Sequence, residues 1–185
     1  GYTWLGLVAM QDQTRPGVDQ LVDQLHRAGI RTVLLTGDQK ITAATVAHEL
    51  GVADGNPIVV TDAGELQNLS DQEKSDRILA TDVFSRVSPS DKLQIVQSLQ
   101  RHGLVVGMTG DGINDGPALR AANVGIAMGI AGTETAKDAA DVIIERDDLQ
   151  SLLMAVELGR KIRCNLKSSL HFMLTTNSAE IAVTV

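Results

Sequence analysis

Short apolar runs and longer amphipathic stretches alternate along most of this chain. Residues 3–10, TWLGLVAM, are a brief run with β-formers and read as a buried strand. Pro16 then opens a helix, where its missing N–H costs nothing. Val18, Leu21, Val22, Leu25 and Ala28 follow at the spacing of one apolar helix face, and Gly29 ends it. The same reading predicts a strand over 30–38 (IRTVLLTGD), a helix over 41–50 closed by Gly51, and a short strand over 57–61. Residues 62–81 are polar and weakly patterned, with a short helix after Ser70. A strand over 82–87 (DVFSRV) leads into a helix over 88–103, with Ser88 as N-cap and Pro89 at its first position. Then come a strand over 104–111 (LVVGMTGD), a short helix over 115–122 and a strand over 124–129 (VGIAMG). A short helix over 133–140 and a strand over 141–145 follow.

Near-continuous apolar strands alternating with helices predict an α/β fold, a parallel sheet covered on both faces. Ligands of such sheets bind at the carboxyl ends of strands. TGD at 36–38 follows one predicted strand, TGDGINDGP at 109–117 follows another, and Lys92 lies just after a third. These groups are expected to converge on one edge of the sheet. From residue 148 the character changes to one amphipathic helix, with Asp147 or Asp148 as its cap. Arg160, Lys161, Arg163 and Lys167 cluster ahead of the apolar segment LHFMLTTNSAEIAVTV. Basic residues before an apolar segment are the pattern of a helix entering a membrane from the cytosol. About 16 residues of that segment are present, short of the roughly 20 that span a bilayer.

Composition adds limits. The formal charge of −7 argues against general nucleic-acid binding. Aromatic residues are 2% of the chain, so Val, Ile, Leu and Ala must fill the core. The single cysteine, Cys164, allows no internal disulfide and no cysteine zinc cluster, and a reduced compartment fits. The four histidines, His26, His48, His102 and His171, lack metal-ligand spacing. The chain starts at Gly1 and stops inside an apolar segment, so it reads as a fragment cut at both ends.

The turn over 108–119, MTGDGINDGPAL, carries the most chemistry. Two carboxylates in a glycine-rich turn after a strand suit a hard divalent cation such as Mg²⁺, which takes one or two protein carboxylates plus phosphate and water oxygens. Asp111 is the candidate direct ligand. Asp115 would bind through water or orient the ligand, and Asn114 adds an amide. Gly110 and Gly112 would let the backbone take unusual angles and approach an anion. Thr36 and Gly37 offer a hydroxyl and an N–H to a phosphate, while Asp38 has a structural reading. Lys92 would set positive charge against phosphoryl oxygens. The structural alternatives are that Asp38, Asp111 and Asp115 cap helices and that Lys92 is a solvated surface charge.

TGD at 36–38, FSRVSPSDK at 84–92, MTGDGINDGPAL at 108–119 and GIAMG at 125–129 resemble the P-type cation-transporting ATPases, in order and spacing, over essentially the whole chain. The resemblance is closest to the calcium and sodium/potassium pump branch, and GDGxND alone is shared with the wider haloacid-dehalogenase-like phosphatases. It implies a Rossmann-like haloacid-dehalogenase-type phosphorylation domain over 1–147. A helical stalk over 148–169 and the start of a truncated transmembrane helix over 170–185 would follow. It also implies ATP and Mg²⁺ as cofactors and an aspartyl phosphate that is formed and hydrolysed as ions move. The protein would be a multi-pass membrane pump with residues 1–169 on the cytosolic side.

Carried over, Asp111 is the Mg²⁺ ligand and Asp115 its supporting carboxylate, with Thr36, Gly37, Asp38, Lys92 and Asn114 at the phosphoryl group. Arg86 resembles the arginine that helps hold the nucleotide. Asp12 and Arg15, in DQTRP, resemble a nucleotide-side DPPR element whose two prolines are here Gln13 and Thr14. Asn177 and Glu180 share one helix face and match positions that coordinate the transported cation, with Ca²⁺ the first choice. The family's nucleophile lies in a DKTGT strand, central in the sheet, and no DKTG occurs here. That strand would belong to a missing N-terminal part of the same chain. The fragment alone is therefore expected to be inactive, and either weakly stable or built on a compensated sheet. The competing readings are a soluble haloacid-dehalogenase-like phosphatase and a non-catalytic Mg²⁺- or nucleotide-binding module.

Overall fold

The computed structural model describes residues 3, 5, 14–146, 148 and 150–184, and over 177–184 it describes the backbone alone. Most of the strand expected at 3–10 lies outside these residues, as do Asp12 and Asp147. The chain divides into two compact units, Gly1–Val87 and Ser88–Val185.

In the first unit the described elements are α1 (Val18–Arg27), β1 (Leu34–Leu35), α2 (Lys40–Glu49), β2 (Val60–Asp62), a 3-10 helix (Ala63–Asn68), α3 (Asp71–Ala80) and β3 (Val83–Ser85). The strands form a parallel sheet in the order β1-β3-β2. Central β3 is apolar on both faces because both are covered, and Val83 and Phe84 are fully buried. Each such side chain contributes roughly 1.5–3 kcal/mol by leaving water. Ala43 and Ala47 of α2 pack with Val52 and Val83, and their small size keeps that helix face thin.

The second unit holds α4 (Pro89–Arg101), β4 (Gly107–Gly110), a 3-10 turn (Ile113–Asp115), α5 (Gly116–Ala121), β5 (Val124–Met128), α6 (Glu134–Ala139), β6 (Val142–Ile144) and α7 (Gln150–Thr184). Its parallel sheet runs β4-β5-β6. Ile126, Met128 and Ile144 form a buried cluster against which Leu152 of α7 packs. The fold class is thus the expected one, parallel-sheet α/β.

Helix ends follow the glycines. At Gly29, Gly51 and Gly103 the backbone is left-handed, with φ of 73°, 67° and 76°. Each glycine N–H and the N–H after it return to the last turn: Gly29 to His26 and Ile30 to Leu25, Gly51 to His48 and Val52 to Ala47, Gly103 to Gln100 and Leu104 to Leu99. That paired closure satisfies carbonyls the helix would otherwise leave open. Ser88 caps α4 as expected, with a reciprocal bond between its N–H and the Asp91 carboxylate at 2.9 Å. Asp148 caps α7, its Oδ1 accepting from the Gln150 N–H at 3.0 Å.

Two strands are shorter than their apolar runs. Of 30–38 only Leu34–Leu35 is paired as strand, and of 104–111 only Gly107–Gly110. Leu104 is 47% and Val105 83% exposed. Both strands are edges with a partner on one side among the described residues. α7 runs unbroken for 35 residues through both the stalk and the apolar segment. Among the described residues no helix is long and apolar enough to cross a membrane.

Candidate functional site

In each unit the candidate side chains gather where strands end. The first unit brings together the ends of β1, β2 and β3. After β1, the Thr36 hydroxyl donates to Asp38 Oδ2 at 2.8 Å and accepts from the Asp38 N–H at 3.1 Å. Asp38 therefore braces the turn. It does not cap α2, whose N-cap is Gln39 with no side-chain bond. A Cβ added at Gly37 would meet nothing within 4 Å, so the turn has an open face. After β3, Arg86 adopts a left-handed φ of 52°, uncommon for a side-chain-bearing residue. Its N–H donates to the Asp38 carbonyl at 2.9 Å, and the Val87 N–H donates to the Thr36 carbonyl at 2.9 Å. These bonds tie the end of β3 to the 36–38 turn. The Arg86 guanidinium meets Asp62, at the end of β2, with Nε 3.6 Å from Oδ2. Ser85, one residue earlier, is fully buried, and its hydroxyl has no hydrogen-bond partner among the described residues.

The second unit holds Lys92, Asp111, Asn114 and Asp115. The capped start of α4 places Lys92 one turn into the helix, and its Nζ lies 2.6 Å from Asp115 Oδ1. Asp115 Oδ2 accepts from the Gly112 N–H at 3.1 Å, so both carboxylate oxygens are engaged. Both side chains are largely buried. A buried carboxylate left without its partner would be strongly unfavourable, so Lys92 and Asp115 hold each other in place. Lys92 is thus no free surface charge. Asp111 and Asn114 are exposed on the same turn, and the Asp111 carbonyl accepts from the Thr133 N–H at 2.9 Å. α5 has no side-chain cap.

The glycines here serve space, not unusual angles. Gly112 has an ordinary φ of −96°. A Cβ at Gly110 would fall 2.6 Å from Asp115 Cβ and 2.8 Å from its Oδ2, so glycine is what admits the Asp115 side chain. Of the remaining candidates, Asp12 is outside the described residues and Arg15 lies just before α1. Asn177 and Glu180 lie on the α7 backbone three residues apart, with side chains outside the description. Among the described residues no three His, Cys, Asp or Glu side chains cluster as a metal site. Asp62 was not singled out by sequence reasoning. It sits in the weakly patterned stretch, and only its place after a strand and two residues before Gly64 hints at a cap.

Residues 3–123 match the family described as haloacid dehalogenase-like hydrolase. The chain belongs to that family. Within this hydrolase family its similarity runs to P-type pumps. It is 47% identical over 178 residues to calcium-transporting ATPase 1 of Bacillus cereus, covering 96% of this chain and 20% of that protein. It is 40% identical over 188 residues to P-type sodium-transporting ATPase4 of Toxoplasma gondii, covering 96% of this chain and 14% of that protein. A crystal structure of a zinc-transporting PIB-type ATPase superposes with a TM-score of 0.66 at 31% identity, covering 85% of this chain and 21% of that one. The chain thus spans about a fifth of the first of these relatives.

Proposed function

We propose that this chain is the Mg²⁺- and phosphoryl-binding part of an ATP-driven cation pump. The observation that carries the reading is the Lys92–Asp115 pair, buried at the end of β4 behind an exposed Asp111. Lys92 neutralises Asp115, and Asp111 is exposed to solvent on the same turn. One exposed carboxylate, a neighbouring amide and room for water fit a hard cation that keeps most of its hydration. When bound, Mg²⁺ supplies charge neutralisation of phosphoryl oxygens. Lys92 adds a fixed positive charge for the same oxygens, in a site where water is partly excluded. In the first unit, the Gly37 N–H and a Thr36 hydroxyl turned away from Asp38 are proposed as phosphoryl contacts, and Arg86, Asp12 and Arg15 as nucleotide contacts.

The nucleophile belongs to a part of the whole protein outside this sequence. α7 carries the domain's end toward a membrane, with residues 1–169 on the cytosolic side. Arg160, Lys161, Arg163 and Lys167, all exposed, support that reading. Asn177 and Glu180 are proposed as ligands of the transported cation. Ca²⁺ is the proposed ion, because several relatives, from Bacillus cereus and Yarrowia lipolytica among others, are named calcium-transporting.

The test is phosphoenzyme formation from radiolabelled ATP in the full-length protein. Asp111→Asn is expected to lower Mg²⁺-dependent labelling by about 100-fold or more, the scale of losing one electrostatic group at the transition state. Wild-type labelling in that variant would remove Asp111 from the site. Transport into vesicles, with Ca²⁺ against Na⁺, decides the ion.

A further inference from the structure

We infer that Asp62 is a positioning residue for Arg86, fixing its guanidinium for a nucleotide phosphate or ribose. The inference rests on the proposed nucleotide-side role of Arg86. Asp62 is itself held rigidly. Its Oδ1 accepts from the Gly64 N–H at 2.9 Å and so caps the 3-10 helix that follows. Ala63 and Leu66 bury that helix in the core. Lys40, at the start of α2, pairs with Glu65 at 3.3 Å and ties the same helix to the sheet's other edge. With Oδ1 committed, Oδ2 is presented in one direction, toward Arg86.

Arg86 comes to meet it by an unusual path. In the parallel register Asp62 lies opposite Ser85, so a continuing strand would carry the next residue past the end of β2. The left-handed φ at Arg86 breaks the strand there, and the N–H bonds to Asp38 and Thr36 hold that conformation. Such a conformation is strained for a residue with a side chain and persists where its surroundings enforce it. The ion pair joins the carboxylate to Nε. The two terminal nitrogens have no other partner among the described residues and remain free to donate to an anion. A guanidinium anchored through Nε loses less freedom on binding than one that swings freely.

The experiment is ATP kinetics in the full-length protein with Asp62→Asn, Arg86→Gln and the double variant. Asparagine keeps the cap acceptor for Gly64 and removes only the charge, so the fold is retained. Asp62→Asn is expected to raise KM for ATP about three- to five-fold with kcat within about two-fold, the size of a partly exposed pair. In the Arg86→Gln background it should add nothing, and 0.5 M salt (a Debye length of about 4–5 Å) should shrink its effect. A silent Asp62→Asn beside an Arg86→Gln that raises KM would overturn the positioning role alone. An equal Asp62→Asn effect in both backgrounds would also overturn it and leave Asp62 as a cap. An Arg86→Gln with normal KM would sink the nucleotide-side reading itself, and the positioning role with it.

Discussion

At Gly110 a single methyl group decides whether the site can form. It would fall 2.6 Å from Asp115 Cβ, and the carboxylate would have to leave Lys92 or the turn would have to open. Gly110→Ala is therefore expected to lower both phosphoenzyme formation and thermal stability, the latter by about 1–3 kcal/mol as an overpacked site. Gly37→Ala should behave differently. The added Cβ meets nothing there, so stability should hold or rise slightly, while the methyl would fill the open face proposed for the phosphoryl group. Parallel melts and labelling assays separate the two. Equal losses of stability would contradict the assigned reasons for these glycines. The sequence drew attention to these glycines, but the steric reason for them was not legible there. The turn advertises its carboxylates, whereas the need for glycine at 110 comes from a side chain five residues on. The same holds in GIAMG, where a Cβ at Gly125 would meet the Leu119 carbonyl at 2.5 Å and one at Gly129 the Glu145 Cα at 2.7 Å. Only the folded neighbours reveal such contacts.

Helix boundaries were the most readable elements, because caps are local chemistry. Gly29, Gly51, Ser88 and Pro89 each mark an end within a residue or two of where it lies. The short helix after Ser70 is α3, and Ser70 and Glu73 form a reciprocal cap at its start. The Ser70 hydroxyl, then its N–H, hold the Glu73 carboxyl below its ordinary pKa. The folded value lies under the unfolded one, so this cap acts fully above the ordinary glutamate range. Its contribution fades as pH falls through the lowered value. Protection factors of the amides in the first turn of α3, measured against intrinsic exchange at each pH, should thus fall on acidification, and Glu73→Gln, which still accepts, should abolish that dependence. An unshifted Glu73 carboxyl in an NMR titration would refute it. Strand lengths were less readable, since a ladder extends only as far as its neighbours do. The apolar run at 104–106 predicts a strand, yet β4 begins at Gly107. Nothing in the run itself states that β4 has a neighbour on one side alone among the described residues.

Across the whole molecule the unfilled positions are strand edges. β1 pairs only with β3, and β4 only with β5, among the described residues. Exposed Leu104 and Val105 extend the β4 edge with apolar surface. Unpaired backbone beside apolar side chains is a template for association with other chains. α7 adds a second source, since Leu158, Ile162, Leu166, Leu170, Phe172, Met173 and Leu174 are all exposed. The isolated chain is therefore expected to melt with low cooperativity and to associate as its concentration rises. The two sources respond to different changes. Ending the chain after residue 156 removes most of the helix surface but keeps Leu152 on its cluster. Association should then fall while the melt stays broad. Extending the chain by the proposed nucleophile strand should sharpen the melt, because a new ladder would cover an open edge and its apolar side chains. Calorimetry and sedimentation on the three lengths distinguish these outcomes. A sharp two-state melt of the short chain, matching that of an intact domain of this size, would mean that its edges need no partner.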